Sequence, residues 1–148
     1  MNTEISSYYD LLLIHAGCTL FLCGLIWIIQ VVHYPLFAYV GHDGYEQYQQ
    51  LHMQRITWIV APIMIGEVVC ALTLMNAPVP HHRFLLGIGL ALLALIWLST
   101  ALFQVPAHTE LTKGWNENAY TRLVLSNWIR TCAWSLRGGI ALLLLRSV

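Results

Sequence analysis

The sequence predicts an all-α protein: a four-helix transmembrane bundle of up-down-up-down order, with both termini on the same side. Three observations lead there. Only 9% of the residues are charged, against about 25% in a typical soluble domain, too few to clothe a water-facing surface. Hydrophobic residues make up 58% of the chain, and the mean hydropathy is +0.65. Finally, four apolar stretches each approach or exceed the roughly 20 residues that a helix needs to cross a bilayer.

These spans lie at about 11–37, 56–75, 84–105 and 123–145, in a single domain of 148 residues without internal repeat. The segment 76–82, with Pro78 and Pro80, reads as a tight turn between spans two and three. At the opposite end the connections read as helix extensions. Asp43 with Glu46 three residues on forms a capping-box pattern, so the second helix begins outside the membrane near Gly44. Pro35 is expected to break the first helix, Lys113-Gly114 to stop an extended third, and Asn116 to cap the fourth. Pro62 and Pro106 sit in helical patterns and can kink them, Pro106 aiming His108 inward.

The first ten residues contain no Lys or Arg, unlike a signal peptide, so the first helix is expected to remain in the mature protein. Arg55, Lys113 and Arg122 fall at the end away from the termini, against Arg83 and Arg146 at the terminal end. By one residue, the positive-inside rule makes the former cytoplasmic. A net charge of zero points to no nucleic acid. Cys18, Cys23, Cys70 and Cys132 lie in apolar runs without a CxxC pair and read as small buried apolar residues.

Helical rise places the polar residues by height. Measured from the terminal end, His33, His52 and His108 lie about 33, 35 and 36 Å up, on three different helices. Gln30, Gln104 and Asn127 follow just beneath, at about 28–30 Å. Three neutral imidazoles at one level are a candidate metal site for copper, iron or zinc, with a position open for water, oxygen or substrate. Gln30, Gln104, Asn127 and Arg130 are then the residues that would contact the cofactor or support its ligands, with Glu46 or Glu110 as further donors. Heme is the alternative cofactor, held by two histidines, with Arg55, Arg122 or Arg130 on its propionates. The plainer alternative is three independent interfacial histidines. His42, His81 and His82 read as solvated.

Asn127, Arg130, Trp134 and Arg137 form one stripe of the fourth helix. An arginine at mid-span costs at least about 2.5 kcal/mol, so this face should look inward. Arg137 and Glu67 lie at about 13 and 12 Å and are expected to form a buried ion pair. The pair either fixes helix register or belongs to a proton or substrate path, with His15 in reach. Tyr45, Tyr48, Trp58, Trp115, Tyr120 and Trp128 gather near the histidine level, as a belt against membrane lipid or as a wall for a lipophilic substrate.

The pattern His33-Tyr34-Pro35, Gln104-x-Pro106-x-His108 and Asn127-Trp128-x-Arg130 resembles small four-helix bacterial membrane proteins and, more distantly, the anthrone-oxygenase-like family. There the polar residue after the proline is usually asparagine; here it is His108. The resemblance implies a multi-pass protein of the bacterial inner membrane with oxidative chemistry on a lipophilic molecule. The sequence reading is thus a membrane metal-binding oxidoreductase or oxygenase. A proton-coupled small-solute carrier using the Glu/Arg pair and a structural accessory subunit of a larger complex stand as alternatives, and a homo-oligomer is compatible with each.

Overall fold

The structure, a computed structural model, describes residues 3–77 and 82–147. Among them there are four long helices and no strand. Helix α1 (Thr3–Ile28) continues through a π-helical turn (Ile29–His33), one further helical turn (Tyr34–Leu36) and a 3-10 turn (Phe37–Tyr39). Helix α2 spans His42–Met75. Helix α3 (Arg83–Ser99) is extended by a π-helical turn (Thr100–Gln104) and a last helical segment (Val105–Leu111). Helix α4 spans Glu117–Arg146.

Three of these, Ser7–Tyr39, His42–Met75 and Arg83–Leu111, are long and apolar enough to cross a membrane. The fourth is as long, but its average polarity is raised by Arg130 and Arg137. Both turn inward, at 7% and 2% exposure, while Leu125, Trp128, Ile129, Leu136, Leu142 and Leu143 face outward. The outer face of α4 therefore has the same apolar character as the other three, and the average conceals it. At 34 residues, α2 is about 51 Å long and outruns the roughly 30 Å hydrocarbon layer.

Three hydrogen-bonded residues set the topology. The Tyr8 hydroxyl lies 2.6 Å from His82 Nδ1, and His82 Nε2 lies 2.8 Å from Ser147 Oγ. The start of α1, the entry to α3 and the exit of α4 therefore share one end. His82, expected to be solvated, is buried there, because it links all three helices. Of the expected tight turn, Asn76 and Ala77 do turn; Pro78, Pro80 and His81 lie outside the described residues. Helix α4 packs most extensively on α1 and α3, whereas α2 lies against α1 and more loosely against α3.

Two expectations at the other end are corrected. Pro35 does not break the first helix. It sits in the first turn of the segment Tyr34–Leu36, where a missing N–H is tolerated, and the widened π turn before it absorbs the mismatch. Pro106 follows a second π turn in the same way. The Asp43–Glu46 capping box is also not formed: α2 starts at His42 after Gly41, without a side-chain cap, and Glu46 accepts from Gln50 instead. Asp43 remains in the first turn, where its charge suits the helix dipole.

Gly114 ends the extended third helix at a φ of 126°, a conformation that favours glycine. Asn116 then caps α4, its Oδ1 accepting from the Ala119 amide at 2.9 Å. The interior divides into a cluster around Leu22, Ile26, Phe37, Leu111 and Trp134 and a smaller one of Leu12, Leu74, Leu86 and Leu144 near the termini. Cys132, expected inside, lies on the exposed face of α4.

Candidate functional site

The π turn of the first helix delivers His33 and the helical turn after it Tyr34, the protruding part of α2 delivers Gln49 and His52, and the last segment of α3 delivers His108. The three histidines converge. His33 Nε2 and His52 Nδ1 share a hydrogen bond at 3.0 Å, and the His52 and His108 ring centres are 5.5 Å apart. Phe37, fully buried, stands among them edge-on, 5.1 Å from His33 and His52 and 6.3 Å from His108. His33 and His52 are half-buried, and His108 is buried.

Both ring nitrogens of His108 are engaged. Nε2 lies 3.0 Å from the Tyr34 hydroxyl and Nδ1 lies 2.8 Å from the Gln49 amide. Two proton arrangements satisfy this set. In one, the Gln49 amide nitrogen donates to Nδ1 and the Nε2–H donates to Tyr34. In the other, the amide is turned over, Nδ1–H donates to its oxygen, and Nε2 accepts from the Tyr34 hydroxyl. The exchange of one for the other moves a proton across the ring, which suits a relay. Among the described residues, no three His, Cys, Asp or Glu side chains surround a common point suited to a metal ion.

The amides expected to contact a cofactor face inward but bind neighbouring helices. Asn127 Nδ2 donates to Gln30 Oε1 at 2.8 Å, and Gln30 Nε2 donates to the Val124 carbonyl at 3.2 Å. Gln104 Nε2 donates to Ser126 Oγ, and Gln104 Oε1 accepts from Ser99 Oγ. These bonds tie α1 and α3 to α4 just below the histidines. Arg130 lies beside the Tyr34 hydroxyl and over the Trp134 ring, 5.2 Å from its centre. Glu110 pairs with Arg122 at 2.8 Å near the surface, away from the rings. His42 is exposed.

Deeper in the bundle, Glu67 and Arg137 form an ion pair at 2.9 Å, both essentially inaccessible. Glu67 also accepts from Thr19 Oγ1 at 2.7 Å, Trp134 Nε1 at 3.2 Å and Arg137 Nε at 3.0 Å. Arg137 further donates to the Gly89 carbonyl and approaches His15 Nε2 at 3.3 Å. All four helices therefore meet at this pair. A cavity of about 10 Å³ beside it, lined by His15, Gly89 and Arg137, holds one water at most.

The sequence reading gave no role to Tyr34, named only within the His33-Tyr34-Pro35 pattern, and did not single out Phe37 or Gln49. Gln49 was within reach of it, since Tyr45, Gln49 and His52 recur at helical spacing on one face of α2. Phe37 carried no such signal, because an apolar residue closing an apolar span is indistinguishable from lipid-facing surface.

Comparison with protein-family models, with curated proteins and with solved structures finds no match for the chain.

Proposed function

We propose that the chain is a cell-membrane protein that binds a transition metal at the histidine cluster and uses it in oxidative chemistry on a lipophilic molecule. The observation that carries this reading is the approach of His33 Nε2 to His52 Nδ1 at 3.0 Å. Without metal that contact is a hydrogen bond, and two imidazole nitrogens bound to one ion, each at about 2.0–2.1 Å, stand at about the same separation, so an ion would take the place of the shared proton. His33 and His52 are therefore the favoured ligands. His108 as a third ligand competes with Tyr34 and Gln49 for its own nitrogens, and in their company it serves better as a proton relay beside the metal.

Two further features support a site here. Helix-widening π turns recur at functional positions, and both of them lead into this cluster. Of the five buried side-chain polar atoms without a partner among the described residues, four belong to Tyr45, Gln49, Asn127 and Arg130, all in the histidine half of the bundle. Heme fits less well, because 3.0 Å between the facing nitrogens leaves no room for a metal flanked on both sides. The carrier alternative gains little from Glu67, whose oxygens are held by Thr19, Trp134 and Arg137; so locked a pair fits a fixed helix register.

A bound metal would supply redox or Lewis-acid chemistry. The chain would orient it through His33 and His52, hold or pass a proton at His108, and wall the site with Phe37 and Tyr34. The test is elemental analysis of protein purified without a polyhistidine tag. About one transition metal per chain is expected, falling sharply in His52→Ala and unchanged in His42→Ala. No stoichiometric metal even after reconstitution overturns the reading.

A further inference from the structure

Among the described residues, Arg130 is a buried cation that faces no carboxylate. It is 7% exposed, and the ion pairs among the described residues are Arg122–Glu110 and Arg137–Glu67. Its Nε is buried and meets no acceptor. Arg137, two turns further along α4, is the contrast: its nitrogens reach Glu67, the Gly89 carbonyl and His15. One face of one helix thus holds two inward arginines, one fully matched and one not. Around Arg130 stand the Tyr34 hydroxyl and the Trp134 ring face, which stabilise a guanidinium but do not neutralise it.

A buried charge without a counter-charge is costly at membrane depth. The planar fork of a guanidinium matches a carboxylate through two parallel hydrogen bonds. Arg130 lies 13 residues into α4, counted from Glu117, or about 20 Å below its start. A small anion from water would have to shed its hydration to reach that depth. The carboxylate of an amphiphile at the bilayer boundary meets the same desolvation, but its chain stays in lipid, where the outward residues of the first helix and of α4, Val31, Val32, Trp128 and Ile129, are apolar and exposed for it to lie against.

We propose that Arg130 receives the carboxylate of a single-chain amphiphile entering the histidine end of the bundle from the bilayer. This goes beyond metal binding and does not depend on it. Where the metal reading also holds, the anchored headgroup sets which part of the chain lies beside His33 and His52.

The test is a titration of the full chain in detergent with ¹³C-carboxyl dodecanoate, followed by the carboxyl resonance, with chelator present throughout so that no metal contributes. Saturable binding is expected in wild type. It should weaken at least tenfold in Arg130→Gln and less in Arg130→Lys, which keeps the charge but loses the fork. Dodecanol and acetate are read by displacement of the labelled dodecanoate: dodecanol should not displace it, and acetate should do so only at a concentration at least a hundredfold above that of unlabelled dodecanoate. Equal dodecanoate affinity in Arg130→Lys and wild type, or in Arg130→Gln and wild type, overturns the proposal. So does dodecanol binding as tight as dodecanoate, and so does acetate of equal strength, which would assign the site to a small anion from water. If Arg130→Gln does not fold, Arg130→Lys, which keeps the charge, carries the assignment to Arg130, and the wild-type comparison with dodecanol and acetate still tests the ligand class.

Discussion

Replacing Glu67 by glutamine removes the charge that all four helices share. In the native arrangement the carboxylate accepts from Thr19, from Trp134 and twice from Arg137, at 2.7–3.2 Å. An amide keeps one accepting oxygen but turns N–H groups toward a second donor, the Trp134 indole or the Arg137 guanidinium. The arginine is left charged at 2% exposure with nothing to neutralise it. Breaking a buried pair from one side costs about 3–5 kcal/mol. At about 2–4 °C per kcal/mol for a chain of this size, the melting temperature should fall by roughly 6–20 °C. Removing the second partner as well, by Arg137→Gln, should restore part of the loss, because no charge then remains buried. Thermal unfolding in detergent of the wild type, both single variants and the double variant closes the cycle. Losses that add to within about 0.5 kcal/mol would mean that the two residues are energetically independent, and the reasoning would fail.

Two further outcomes follow from the ends of the bundle. Asn116→Ala removes the cap on the Ala119 amide and should lower stability by about 1 kcal/mol, whereas Asn116→Asp should retain it; chemical denaturation of the three proteins checks this. Because Tyr8, His82 and Ser147 meet at one end, reporters fused to the two termini should read the same compartment, and opposite readings would refute the four-crossing topology.

Much of the bundle was legible in the sequence because lipid imposes simple rules. Backbone groups in hydrocarbon must be satisfied within the helix, so apolar runs read directly as helices, and inward arginines mark the buried face of α4. The Glu67–Arg137 pair followed from opposite charge at equal height on different helices, since rigid helices of fixed rise carry residues to calculable levels. Heights likewise placed His33, His52 and His108 together. They could not say where each ring points. That depends on side-chain rotation and on neighbours such as Gln49 and Tyr34, which engage both nitrogens of His108. The inward Gln30, Gln104 and Asn127 were correctly placed by depth, but their hydrogen bonds go to α1, α3 and α4 groups at the same level rather than upward to the rings. The widened turns before Pro35 and Pro106 were not legible either, because one extra residue in a helical turn leaves the apolar pattern almost unchanged.

The most direct test of the metal site is a cobalt(II) titration of the purified chain, read by visible absorption. Imidazole-bound cobalt gives ligand-field bands that free cobalt in buffer does not match. The account predicts bands that saturate at one cobalt per chain in wild type and in His42→Ala, and that are lost in both His33→Ala and His52→Ala while the variants remain folded. A wild type without such bands, or a His52→Ala variant that titrates like wild type, would contradict it.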